Sequence, residues 1–271
     1  MEAIAERLAA FALAGLASGF VSGLFGVGGG IVRIPIFVYL LPLFAVPAPV
    51  LMHVAVGTSM ALVLPSALAS TRKQVALGNF DWPFFRSWAV GIFFGVLIGT
   101  ALVPLASTEI LQAIFAAFML MVGIYEGFLK DRMVIAKAAP QGAVKLTVAA
   151  MIGCLAALTG TGGGTMTTPA LQAFSVRMET AIATASATGL VTGVVATTGA
   201  VISGWHVRAL PGYSLGYVDL AIFTAMLPTI LIAAPIGVRA GHRLSEAWLR
   251  RVYTMLLFVI AADLIRKLAL H

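Results

Sequence analysis

Apolar residues run along this chain in ten stretches, at 8–25, 31–43, 54–71, 86–104, 110–129, 146–159, 165–176, 180–203, 219–238 and 248–265. Several approach the length that spans a bilayer, since roughly 20 apolar residues in a helix cross its hydrocarbon core. A β-barrel would instead alternate apolar and polar residues over ten-residue segments. The pattern predicts an all-α polytopic membrane protein. The first stretch follows Glu2 and Glu6 with Arg7 as its one base, which reads as a first membrane helix and not as a cleaved signal. The second and seventh stretches are short, and each directly follows a glycine cluster, Gly26-Val27-Gly28-Gly29-Gly30 or Gly160-Thr161-Gly162-Gly163-Gly164.

These clusters sit inside longer copies. LFGVGGGIVRIP runs from Leu24 to Pro35, and LTGTGGGTMTTP from Leu158 to Pro169, 134 positions on. Ala55-Val56-Gly57-Thr58 returns as Ala181-Ile182-Ala183-Thr184, and Gly78-Asn79-Phe80-Asp81 as Gly216-Tyr217-Val218-Asp219. Ile98-Gly99 matches Ile236-Gly237, and Ser107 with Leu111 matches Ser245 with Leu249. Ordered correspondences of this kind mark an internal duplication. The expected organisation is a first transmembrane repeat at 1–130, a charged linker at 131–145 and a second repeat at 146–271. Five segments per half, an odd number, invert the second repeat relative to the first, as in many transporters. Merging each short stretch with its predecessor into one broken helix would give four crossings per half and parallel repeats. The inverted arrangement is the one expected.

Composition agrees with the pattern. The chain is 61% hydrophobic and 10% charged, with mean hydropathy +1.04, too few charges to cover a water-facing surface. Its net charge of +7 forms no basic patch interleaved with aromatics, so nucleic acid is set aside as a partner. Lysine and arginine in the loops place the 131–145 linker in the cytoplasm of a multi-pass protein of the bacterial inner membrane. The lone Cys154 rules out an internal disulfide and reads as a packing residue.

The glycine clusters carry the candidate chemistry. A dinucleotide fingerprint needs a final glycine after G-x-G-x-x and an acid about 20 residues on, and a P-loop needs G-K-[ST]. Neither is present. In a membrane, consecutive glycines break a helix or turn it back as a re-entrant hairpin, and freed backbone persists there only inside protein or beside a cavity. A helix restarting after the break aims unpaired amides and its positive end into that space. Two such breaks at corresponding positions point to a midplane site, and two helix N-termini converging there favour an anion. The candidate binding groups are the backbone of Gly28, Gly29, Gly30 and Ile31 and of Gly162, Gly163, Gly164 and Thr165. Close helix packing explains the ladders Gly15/Gly19/Gly23 and Gly91/Gly95/Gly99. Those ladders permit a homodimer without requiring one.

The paired G-x-G-G-G with proline five residues later, followed by Ala55-Val56-Gly57-Thr58-Ser59, resembles the TauE/SafE family of sulfite and organosulfonate exporters. Through the duplication the likeness covers essentially the whole chain. It implies export of small sulfur-containing anions such as sulfite, sulfoacetate or isethionate, without ATP hydrolysis. Two departures stand out: Arg33 occupies a position where an apolar residue is usual, and the second copy of A-x-G-T-S reads Ala181-Ile182-Ala183-Thr184-Ala185.

Arg33 lies inside an apolar stretch, where an arginine costs about 2.5–3.5 kcal/mol on insertion scales. It is expected either to clamp an anion with its planar guanidinium or to bond broken-helix carbonyls. Thr58, Ser59 and Thr184, with Ser186 and Thr188, are hydroxyls able to reach a bound anion or their own preceding turn. His53 is a weaker candidate for titration during transport. Asp81 and Asp219, at matched positions, read as helix caps. No metal-ligand cluster, catalytic dyad or cofactor fingerprint is present, so no cofactor is expected and an intramembrane enzyme is disfavoured. The expected activity is secondary export of a small sulfonate-type anion by alternating access, with a channel or an uptake permease for another anion as rivals.

Overall fold

The computed structural model describes residues 2–25, 29–129, 136, 138–241 and 243–269. Among these, ten α-helices occupy the ten apolar stretches. They are α1 Glu2–Phe25, α2 Gly30–Leu43, α3 Leu51–Ala76, α4 Trp82–Leu102, α5 Thr108–Ile124, α6 Gly142–Thr159, α7 Gly164–Ala173, α8 Met178–Gly204, α9 Leu220–Gly241 and α10 Glu246–Ala269. Most outrun their apolar stretch, because helical hydrogen bonding continues into polar flanks until a cap ends it. Asp81 accepts from the Phe84 amide and Asp219 from that of Ile222, as their matched positions predict. Ser107 and Ser245, another matched pair, cap the Ile110 and Trp248 amides.

Two local features were not foreseen. A two-residue hairpin, β1 Ser214–Leu215 with β2 Val218–Asp219, leads into α9. At the end of α5 the chain widens into a π-turn over Tyr125–Leu129. There the Arg250 guanidinium donates to the carbonyls of Glu126 and Gly127.

Seven of the described helices are long and apolar enough to cross a membrane. At 1.5 Å per residue, α2 and α7 span only about 21 and 15 Å, short of the roughly 30 Å hydrocarbon core. Phe94, Ile98, Leu105, Ile202 and Met255 all stand exposed on the outside of the bundle, where only lipid makes such a surface stable. The chain is a multi-pass integral membrane protein.

Glycine sets the closest packing. α1 lies along α9, and α4 along α6. A Cβ on Gly15, Gly19 or Gly23 would meet backbone of α9 at Met226, Ile230 or Ala234, so α1 and α9 run parallel. Gly91, Gly95 and Gly99 meet Leu146, Ala150 and Cys154 in the same sense. Both ladders are therefore engaged within the chain and carry no argument for a dimer. The remaining main pairs run antiparallel. In α3 and α8, Gly57 meets Ala200 while Ser70 bonds Ser186. Along α5 and the π segment that continues it, Gly123 meets Leu257 of α10 while Gly127 meets Thr254. The helix pair α1–α2 is a hairpin: Phe11 packs its ring on Phe37 and Phe44, and Ser22 lies beside Gly29. The chain thus reverses direction between Phe25 and Gly29. Helix α3 is the axis of the bundle, buried on every side from Leu51 to Val63.

Candidate functional site

The two short helices begin alike. Gly29 caps α2 with φ 72° and ψ −20°, and Gly163 caps α7 with φ 77° and ψ −18°. This left-handed conformation costs any residue with a Cβ about 1–2 kcal/mol, which is why both positions are glycine. The Gly29 carbonyl accepts from the amides of Val32 and Arg33, and the Gly163 carbonyl from those of Met166 and Thr167. The first amides of each helix, at Gly30 and Ile31 and at Gly164 and Thr165, then have no acceptor within their own helix. Four residues further on, Pro35 and Pro169 lack the amide that would bond the carbonyls of Ile31 and Thr165. Each break thus offers donors and an acceptor within one turn.

The structure brings the breaks into contact. A Cβ on Gly30 would lie 2.5 Å from the Gly160 carbonyl oxygen and from the Thr161 Cα. Beside this junction sits Arg33, only 1% exposed. Its Nε donates to Ser59 Oγ at 3.3 Å, and Ser59 Oγ donates to the Gly160 carbonyl at 2.7 Å. Arg33 therefore reaches the second break through Ser59. Its guanidinium folds back over Gly29, where a Cβ would stand 3.3 Å from Cζ and Nη1. A fixed positive charge and the positive end of its own helix are held together, an arrangement that a bound anion relieves.

The other predicted residues divide. Gly162 has φ +79° and its carbonyl accepts from Thr192 Oγ1 at 2.9 Å. Thr165 is buried, and its Oγ1 has no hydrogen-bond partner among the described residues. Gly28 lies outside the described residues. Thr58 turns away from the junction: its Oγ1 accepts from the Asp219 amide at 3.0 Å, at the start of α9. Thr184 is buried on α8, and its carbonyl accepts from Thr188 Oγ1. The α8 hydroxyl residues that flank the second break are Thr188 and Thr192, whose methyl groups face Gly163. Thr188 also accepts from the indole Nε1 of the fully buried Trp88 at 3.1 Å. Thr192 was missed from sequence, and Trp88, whose place near a segment end reads as an interface anchor, is instead buried inside the bundle against α8. The four-residue spacing of Thr184, Thr188 and Thr192, on the helix that also carries Gly189 and Gly193, was the available signal. His53 lies apart from the junction, with Nε2 at the Val103 carbonyl and its ring 5.0 Å from that of Tyr217.

Amides, hydroxyls and one guanidinium make a donor-rich centre in an apolar bundle. A family model described as sulfite exporter TauE/SafE matches residues 11–264. A "probable membrane transporter protein" of Haemophilus influenzae is 30% identical over 257 residues, 94% of this chain and 97% of that protein. Proteins given the same description in Methanocaldococcus jannaschii and Bacillus subtilis are 26% and 24% identical, over 92% and 93% of this chain and 91% and 94% of their own lengths. No solved structure matches. With the family model spanning nearly the whole sequence and relatives aligned end to end, the chain belongs to the sulfite exporter TauE/SafE family.

Proposed function

We propose that the protein is a secondary transporter that exports small sulfonate-type anions, such as sulfite, sulfoacetate or isethionate, through a site at the junction of the two glycine breaks. The observation that carries this reading is the placement of Arg33 against Gly29, beside the contact of Gly30 with Gly160. A sulfonate there meets the guanidinium of Arg33, the leading amides of α2 and α7, and the hydroxyl of Ser59. Thr165 adds a buried hydroxyl close to the second cap. Thr58 and Thr184 support the site from behind and do not take part in binding. The description of the matching family and the transporter names of the relatives support the same class of activity.

Alternating access is supported by the run of the helices. Helices α3 and α8 are counterparts in the duplication and lie antiparallel, and so do α5 and α10. Repeats 1–130 and 146–271, joined by the 131–145 linker, are then inverted copies around the site. Export needs no further energy source: an inside-negative potential of about 100 mV favours outward movement of one negative charge by about 2.3 kcal/mol, roughly 50-fold in concentration.

The test is efflux from proteoliposomes loaded with labelled isethionate or sulfite and clamped inside-negative. Saturable release above that of protein-free vesicles is expected. Release equal to that of protein-free vesicles for every sulfur anion tried would refute the reading, and unsaturable release would replace it with a channel.

A further inference from the structure

The two ends of the bundle are unequal at positions that the duplication makes equivalent. At one end Asp219 is completely buried. Its carboxylate caps Ile222 and pairs with the Arg7 guanidinium, which lies 5.9 Å from the ring centroid of Phe44. Its amide donates to Thr58 on α3. Next to it, the Tyr217 amide bonds the Ala200 carbonyl of α8, and Gly216 is wedged so tightly that a Cβ would lie 2.3 Å from the Val201 carbonyl. Asp219 thus joins the start of α1 to that of α9 through its carboxylate and holds α9 to α3 through its backbone amide, over the end of α2.

The counterpart of Asp219 is Asp81, which is exposed and caps Phe84. The position 134 residues after Arg7 holds Gln141, also exposed, so no ion pair of this kind is available there. Asp81 begins α4, which runs parallel to α6, so it lies at the same end as the start of α6 and the 131–145 linker. Asp219 lies at the opposite end. Two like halves turned end over end, with the Arg7–Asp219 pair at one end and no counterpart of it at Asp81 among the described residues, describe one state of an alternating-access cycle.

We propose that the Arg7–Asp219 pair, with Thr58, is the gate that closes the bundle at the end opposite the 131–145 linker. Arg7 and Asp219 are positioning residues for transport and do not touch the transported anion. Thr58 links them to the site, because its neighbour Ser59 on the same helix bonds both Arg33 and the Gly160 carbonyl. A shift of α3 that accommodates an anion at Arg33 strains the bond between Thr58 and the gate. This inference rests on the chain being a transporter, and it is independent of which anion is carried.

The experiment uses the full chain in cells, with Cys154→Ala and a single reporter cysteine, Ala55→Cys. Ala55 is buried, one turn from Ser59 on the same face of α3. A membrane-impermeant thiol reagent is applied from the side opposite the linker. Slow labelling is expected with the pair intact. Asp219→Asn keeps the cap and removes the charge, and Arg7→Gln removes it from the other partner. Each should speed labelling about tenfold or more, the effect of shifting a closed-to-open equilibrium by about 1.4 kcal/mol. The double variant should add nothing further, and Arg7→Lys should keep labelling slow. Unchanged labelling in both single variants would overturn the gate, as would faster labelling in Arg7→Lys equal to that of Arg7→Gln. If Asp219→Asn does not reach the membrane, Arg7→Gln decides alone. Labelling requires no transported anion, so failure here leaves the anion site standing, and failure of anion efflux leaves the gate standing.

Discussion

Gly30 and Gly160 pack so closely that a Cβ on Gly30 would stand 2.5 Å from the Gly160 carbonyl oxygen. The two breaks of the duplication meet at this contact, and it makes the corresponding glycines of the two halves behave differently. Gly164, the counterpart of Gly30, would place a Cβ 3.7 Å from the Ala185 carbonyl, an ordinary contact. Gly30→Ala should therefore separate the breaks and abolish anion efflux. Gly164→Ala should be tolerated and, by helix propensity, stabilise by up to about 1 kcal/mol. Thermal unfolding and efflux of the two variants check this.

Ser59 both accepts from Arg33 and donates to the Gly160 carbonyl. Ser59→Ala leaves buried polar groups without that partner and should cost about 1–3 kcal/mol. Its effect should be strongly non-additive with Arg33→Met, since both remove the same link. A double-mutant cycle in thermal stability measures the coupling.

How much of this was legible beforehand is clearest at Thr58 and Ser59. The ten helices follow directly from apolar run length, and the breaks from three consecutive glycines, because both depend on local composition. The roles of two adjacent hydroxyls do not, since successive residues on a helix point about 100° apart and only the packing of α3 decides what each meets. Ser59 faces the junction and Thr58 faces Asp219. Asp81 and Asp219 likewise read as equal caps, and the burial of one by Arg7 comes from contacts 212 residues apart in sequence. Thr192 escaped notice because hydroxyls on membrane helices commonly bond their own preceding turn, whereas this one bonds Gly162.

That bond gives a third prediction. Thr192→Val is nearly isosteric but removes the donor to the Gly162 carbonyl, which should cost about 1–3 kcal/mol. Thr192→Ser keeps the hydroxyl and should remain near wild type. A comparison of melting temperatures separates loss of the hydroxyl from loss of the methyl group.

The matched aspartates give a fourth. Asp81→Ala removes an exposed cap and should cost about 1 kcal/mol. Asp219→Ala removes a cap and leaves Arg7 without its buried partner, so the loss should be larger, up to about 3–5 kcal/mol. Equal losses in thermal unfolding would show that the two ends of the bundle are alike.

The most direct test of the central claim, a sulfonate held at the meeting of the two breaks, is ligand-dependent thermal stability of the purified protein. Sulfite, isethionate, sulfoacetate, sulfate, acetate and chloride are compared in the wild type and in Arg33→Gln. A sulfonate at 100 times its Kd should stabilise the wild type by about 2.7 kcal/mol, and Arg33→Gln should lose most of that shift while still folding. No stabilisation by any sulfur anion, or an equal shift in Arg33→Gln, would contradict the account.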